Sequence, residues 1–130
     1  MKNKILRRLI VVVCCILGFV IAVFIGFDLF AKDVIGKVTI DSIDHSNLED
    51  GEYEGVATVG PVHVKLTVVM KEKKIDQILI TEHINALGKK AETIVEEVIL
   101  KQSIDVDSIS GATTSSVCIK KAIENAIGGN

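Results

Sequence analysis

The chain begins with a long run of apolar positions. From Leu9 to Phe27, 19 consecutive residues carry no charge. At about 1.5 Å of rise per residue, a helix of this length crosses a hydrocarbon core of about 30 Å. The pattern predicts a transmembrane helix, which we place at residues 9–31.

Basic residues precede the apolar run, within a short N-terminal segment at residues 1–8. They are Lys2, Lys4, Arg7 and Arg8. The positive-inside rule predicts a cytoplasmic N-terminus and an extracytoplasmic C-terminal part. A cleaved signal peptide is the alternative, but the run is longer than the usual apolar segment of such a peptide and no A-x-A-like site closes it. We therefore expect a retained single-pass anchor in the cell membrane.

The pattern becomes polar after the anchor and then alternates. Residues 32–49 have only scattered apolar positions, which is typical of a tether, with a short extended piece expected at 38–40.

A folded domain is expected at 50–130. Its first part predicts strands because apolar and polar residues alternate with a period of two, most clearly between Val62 and Met70. The predicted strands are Glu52–Val59, Pro61–Met70 and Ile75–Thr81, and their short connections favour an antiparallel meander.

The last part of the chain has helical periodicity. Apolar residues recur at three- and four-residue spacing in Lys89–Gln102 and again from Thr114 to Ile127, where Gly128 and Gly129 follow. Strands followed by helices predict an α+β fold, in which two helices pack on one small antiparallel sheet behind the N-terminal transmembrane helix.

Charge and cysteine content exclude several classes of function. Residues 32–130 carry 11 lysines and 16 carboxylates, a net charge of −5, which argues against nucleic acid as a partner. Cys118 is the one cysteine outside the apolar run, so the outer domain has no internal disulfide, and the chain has no C-x-x-C pattern for a thiolate metal site. We assign no metal site.

The stretch DSISGAT, residues 107–113, has two interpretations. In the first it is a helix cap, because Ser110, Thr113, Thr114 and Ser115 are all favoured at N-caps. In the second it binds a phosphate, because the first amides of a helix lack intrahelical partners and the macrodipole is positive there. No nucleophile-activating arrangement lies nearby in sequence, so a reaction at Thr113 would need another enzyme.

DSISGAT resembles the flavinylation motif of the FMN-binding domain family. That family includes subunits of the sodium-translocating NADH:quinone oxidoreductase and of the Rnf electron-transport complex. Its pattern is Asp, two variable residues, Ser or Thr, then Gly-Ala-Thr, and this sequence matches it without departure. The segments LEDGEYEG (48–55) and VHVKLTVVMKEKKIDQILITEH (62–83) are also similar to the family, so the resemblance covers about residues 48–127.

The resemblance implies a covalent cofactor. In the family, the last Thr of the motif carries FMN through a phosphoester bond, which a separate magnesium-dependent flavin transferase forms from FAD. Carried over, Thr113 is the attachment residue. The other implied cofactor-binding residues are Asp107 and Ser110 for recognition, Gly111 and Ala112 for backbone access, and Thr114 at the helix start.

Further flavin neighbours are expected where the third strand ends. The candidates are Glu82, His83 and the loop Asn85–Gly88, since loops leading into helices often carry ligand contacts. We expect His83 to be an exposed loop residue. His63 should face away from the apolar side of its strand, and His45 lies in the tether.

Two classes of function follow from the resemblance. The first is a membrane-anchored extracytoplasmic flavoprotein that passes electrons between membrane redox partners and an outer acceptor, as a carrier or complex subunit rather than a stand-alone enzyme. The alternative is a noncovalent flavin-binding or sensory module, or a structural subunit of a membrane redox complex. Flavin that stays on the denatured chain distinguishes the first from the alternative.

Overall fold

A computed structural model describes residues 2–40, 43–44, 47–84 and 89–128. The chain divides into two compact units, Met1–Asp33 and Val34–Asn130. In chain order the elements are α1 (Lys2–Gly36), β1 (Gly51–Val59), β2 (Val62–Lys71), β3 (Lys74–Ile84), a 3-10 helix (Lys89–Thr93), α2 (Ile94–Lys101) and α3 (Thr113–Ile127).

The N-terminal unit is one apolar helix. Within α1, Lys4–Gly36 is long and apolar enough to cross a membrane, with a mean hydropathy of 3.2 in its most apolar window and none of that window buried. Leu, Ile, Val and Phe side chains are exposed along it, as a lipid-facing helix requires. Length and composition fit a membrane anchor, and a signal sequence near the N-terminus has the same properties.

The second unit contains a three-stranded antiparallel sheet in the order β1-β2-β3, which confirms the predicted meander and the α+β class. Alternate residues of β2 are buried from Val62 to Met70, as the period of two predicted. The helices pack on this buried face, where Val64, Leu66 and Val68 are fully covered.

Helix α3 lies close against β1 because β1 has a glycine at the contact. A Cβ atom at Gly55 would collide with the carbonyl oxygen of Ala122 and approach the Ala126 Cβ to 2.8 Å. The Asn125 amide also donates a hydrogen bond of 2.8 Å to the Val56 carbonyl. The small residues of both elements therefore fix the position of α3 on the sheet.

The pairing of β2 with β3 contains two register shifts, and the one between Lys65 and Leu66 is a bulge that changes which side chains of the end of β3 face the core. Leu66 pairs with Ile80 but Lys65 pairs with Glu82, so Thr81 is an extra residue on β3. A bulge shifts every later residue of its strand to the other face. Beyond it, His83 pairs with the fully buried Val64, and Glu82 is exposed.

The segment predicted as a tether is in part helical and in part packed on the domain. Helix α1 continues to Gly36, and residues 38–40 are not a strand. Apolar side chains of this region pack, partly buried, against the domain core; they are Val34, Ile35, Val38, Ile40, Ile43 and Leu48. The Lys121 ammonium also donates a hydrogen bond of 3.0 Å to the Thr39 carbonyl.

The predicted first helix of the domain has two parts. It begins as the 3-10 helix, and α-helical geometry starts only at Ile94. Gln102, which was predicted to be its last residue, adopts the left-handed conformation (φ 51°) that ends α2. The second helix begins at Thr113, one residue before the predicted start, and ends at Ile127 as predicted.

Candidate functional site

The loop before α3 turns sharply at Ser110-Gly111. The Ala112 amide donates a hydrogen bond of 2.9 Å to the Ile109 carbonyl, and Gly111 has a φ of +78°. A positive φ at the third residue of such a turn is the conformation that glycine adopts most readily. A Cβ atom at Gly111 would have no atom within 4 Å, so the backbone of this turn borders open space.

A buried serine inside α3 holds this loop. The Ser116 hydroxyl accepts a hydrogen bond of 3.0 Å from the Ile109 amide and donates one of 3.0 Å to the Ala112 carbonyl. Ser116 itself is fully buried. The motif does not include this residue, although a serine on the apolar stripe of a helix, three and seven residues before Ile119 and Ile123, signals a buried hydrogen bond.

The capping interpretation of DSISGAT is wrong in this structure. The N-cap of α3 is Ala112, and no side chain forms a cap hydrogen bond. The hydroxyls of Ser110, Thr113, Thr114 and Ser115 therefore do not cap the helix. Its positive end has no side-chain oxygen bound to it, which leaves it available to an anionic group.

The residues of the predicted motif differ in exposure. Asp107, Ser110, Gly111 and Thr113 are exposed, Thr114 is half-buried, and Ala112 is buried. Thr113 is the first residue of α3. Its hydroxyl is thus accessible from solvent at the uncapped end of the helix, two residues after the open turn at Gly111.

Contacts of α3 locate this helix start on the sheet. The Cys118 thiol shares its one hydrogen between the carbonyls of Ala57 (3.4 Å) and Val62 (3.6 Å), which lie on either side of the β1–β2 turn. Burial of Cys118 raises the pKa of its thiol to about 11, which keeps the thiol protonated. Because His63 pairs with Ile84, β3 ends at this same end of the sheet. The first turns of α3 and the end of β3 therefore lie at one end of the domain.

His83 is a buried strand residue, so the expectation of an exposed loop histidine is wrong. Its side chain is 4% exposed, and its Nδ1 lies 3.0 Å from Oε1 of Glu92 in the 3-10 helix. The bulge at Thr81 is the cause, since it brings His83 to the core face and leaves Glu82 outside. The 3-10 helix also packs against α3.

The remaining predicted neighbours are less informative. The loop Asn85–Gly88 and His45 lie outside the described residues. His63 faces away from the core, as predicted, with its Nδ1 2.9 Å from the Thr58 hydroxyl. Among the residues that the structure describes, no cluster of three or more His, Cys, Asp or Glu is arranged to hold a metal ion.

The fold is thus a small α+β domain whose last helix starts, without a side-chain cap, beside a glycine turn. A model of the FMN-binding domain family matches residues 58–128, more than half of the chain. The chain belongs to this family, and FMN is the cofactor that the family binds. The search of curated proteins found no match.

The residues of this structure fit the phosphate of FMN. The positive end of α3 is uncapped, and the turn at Gly111 has open space beside its backbone. An anionic group is favoured at such a helix start by the free amides and by the macrodipole. The structure therefore has one place, among the described residues, where sequence motif and backbone geometry both suit this cofactor.

Proposed function

We propose that this chain is a membrane-anchored extracytoplasmic flavoprotein that carries FMN on Thr113 and transfers electrons. The observation that carries the proposal is the position of Thr113, whose exposed hydroxyl is at the uncapped start of α3. A phosphate esterified to that oxygen would be held next to the first helix amides, where negative charge is stabilised.

The attachment is a phosphoryl transfer that another enzyme performs. The Thr113 oxygen bonds to the FMN phosphorus of FAD, the pyrophosphate bond of FAD breaks, AMP leaves, and the hydroxyl proton passes to a base. Among the described residues, no hydrogen bond joins the Thr113 hydroxyl to a basic side chain, and the His83 imidazole is bound to Glu92. This supports a partner flavin transferase, which supplies the base and the metal ion.

In this reaction, the role of the present chain is to hold the attachment loop in a fixed backbone conformation. The Ser116 hydroxyl bridges Ile109 and Ala112 and so fixes the backbone on both sides of the Gly111 turn. Bound flavin supplies the redox chemistry, and the protein tunes it with nearby hydrogen bonds and charges.

The apolar helix supports the membrane part of the proposal. The basic residues before it favour a cytoplasmic N-terminus, which would place the flavin domain outside the cytoplasm. A covalent bond suits that location because lost FMN cannot be replaced there from the cytosol. Electron transfer to membrane redox partners and to an outer acceptor completes the proposed role.

Co-expression of the full chain with a flavin transferase tests the attachment. The wild-type chain should keep its flavin fluorescence in a denaturing gel, and Thr113→Val should lose it. Ser108→Ala is the matched control, because it removes a half-buried hydroxyl at one of the two variable positions of the motif and should keep the flavin. Flavin that leaves the wild-type chain on denaturation would contradict the covalent bond and favour noncovalent binding.

Labelling of intact cells with a membrane-impermeant maleimide tests the orientation. Cysteines introduced as Asp76→Cys, in the exposed part of β3, and as Lys4→Cys, before the apolar run, report the two sides. We expect labelling of the first and none of the second. The reverse pattern would contradict an extracytoplasmic flavin domain.

A further inference from the structure

A lysine of α3 holds the chain where it enters the attachment loop. The Lys120 ammonium donates a hydrogen bond of 2.9 Å to the carbonyl of Val106, and Lys120 is half-buried. That carbonyl belongs to the peptide that joins Val106 to Asp107, the first residue of the motif. Lys120 therefore fixes the peptide plane next to Asp107, and its positive charge lies one peptide unit from that residue.

Burial of neighbouring side chains also holds this segment. Exposure alternates along it, because Ile104 and Val106 are buried in the core whereas Asp105 and Asp107 are exposed. The backbone at Val106 is therefore fixed by two independent contacts, its own side chain in the core and its carbonyl on Lys120. The exposed carboxylate of Asp107 thus departs from a backbone that is held in place.

The same helix holds the other end of the motif. Ser116, one turn before Lys120, donates its hydroxyl hydrogen to the Ala112 carbonyl, 3.0 Å away. Ala112 directly precedes Thr113 in the chain. Ser116 and Lys120 lie on one face of α3, because residues four apart in a helix are neighbours. One helix therefore fixes where Asp107 lies relative to the Thr113 hydroxyl.

We propose that Lys120 is a positioning residue for flavin attachment, which holds Asp107 where the flavin transferase contacts it. This inference rests on the proposed attachment at Thr113. A partner that contacts Asp107 and Thr113 together binds more tightly when the two residues are already held at their bound separation, because less conformational entropy is lost on binding. Lys120 thus acts on the binding of the transferase and not on the phosphoryl transfer, for which the transferase supplies the base and the metal ion.

Steady-state kinetics of flavin attachment test the proposal, with the full chain in detergent, a purified flavin transferase, FAD and magnesium. Lys120→Met keeps an unbranched side chain but removes the donor. It should raise the KM for the chain about fivefold, the factor that one typical hydrogen bond contributes, and leave kcat unchanged. Lys120→Arg keeps a charged donor and should keep the wild-type KM. Lys121→Met is the matched control, because Lys121 bonds to Thr39 and Glu124 instead.

A double-mutant cycle tests whether Lys120 acts through Asp107. Asp107→Asn alone should raise the KM, and Lys120→Met added to it should cause much less than a further fivefold rise, because a residue that is no longer recognised gains nothing from being held. Two full, independent increases would overturn the proposal. The NMR order parameter of the Asp107 amide gives a readout without the transferase: it should fall in Lys120→Met and stay unchanged in Lys121→Met.

The outcomes separate this inference from the proposed function. A Lys120→Met chain that is modified at Thr113 with the wild-type KM would overturn the role of Lys120 and leave the attachment intact. An equal rise of KM in Lys121→Met, or a fall of kcat at constant KM in Lys120→Met, would also overturn that role, because the effect would then be general or chemical. A wild-type chain that stays unmodified at Thr113 would overturn the proposed function and this inference together.

Discussion

Replacement of Ser116 by alanine removes a side chain that joins the attachment loop to α3 on both sides of the Gly111 turn. The Ser116 hydroxyl accepts from the Ile109 amide and donates to the Ala112 carbonyl, each at 3.0 Å. The Ala112 carbonyl keeps its bond from the Ser116 amide, at 2.9 Å. The amide of Ile109, which is half-buried, loses its partner.

The cost follows from these contacts. A fully buried donor left without a partner costs about 1–3 kcal/mol. Because Ile109 is half-buried, we expect the lower end of this range, about 1 kcal/mol, which corresponds to roughly a fivefold change in the opening equilibrium. The bond to the Ala112 carbonyl adds little, because that oxygen keeps another donor. We therefore expect Ser116→Ala to open the loop more often without unfolding the domain.

Hydrogen exchange of the full chain in detergent measures this opening directly. The amide of Ile109 should exchange faster in Ser116→Ala by the stated factor, and flavin loading should fall because the transferase meets a less ordered loop. Ser115→Ala is the matched control, since its hydroxyl makes neither of the two contacts. An unchanged exchange rate at Ile109 in Ser116→Ala would refute the role that we give to this serine.

Two other predictions concern the packing of the domain. Gly55→Ala should lower the free energy of unfolding by about 1–3 kcal/mol in chemical unfolding, because the new Cβ would collide with the α3 backbone. Gly51→Ala is the control and should cost much less, because its Cβ would meet only a ring atom of Tyr53, at 3.8 Å. Burial raises the pKa of the Cys118 thiol from 9.0 to about 11, so the folded state favours the protonated thiol. The contribution of this thiol to stability should be constant below pH 9 and be lost between pH 9 and 11. Unfolding of a Cys14→Ser, Cys15→Ser chain, compared at each pH with the same chain carrying Cys118→Ala, measures this loss. A pH dependence of the opposite sign would contradict this assignment.

The periodicity of the chain was sufficient to predict the class of fold. Strict alternation in β2 and helical spacing in α3 are strong local signals, and both elements were placed within a residue or two of their ends. The 3-10 start of the helical segment at Lys89 was not predictable, because its residues have the same apolar spacing as the α-helix that follows.

The candidate site was predictable only in part. The motif located the loop and Thr113, but residue types that favour caps did not reveal that the N-cap is Ala112. The face of His83 depends on one extra residue in β3, and a bulge has no reliable signal in a single sequence. Tertiary pairing thus decided the environment of His83, which the local pattern assigned to an exposed loop.

The most direct measurement of the central claim is tandem mass spectrometry of the native full-length chain. Trypsin cleaves after Lys101 and after Lys120, so it should release residues 102–120 as one peptide that contains the whole motif. We predict that it carries one FMN residue and that fragmentation places the group on Thr113. An unmodified peptide from cells that contain a flavin transferase, or a flavin on another hydroxyl of the peptide, would contradict the account.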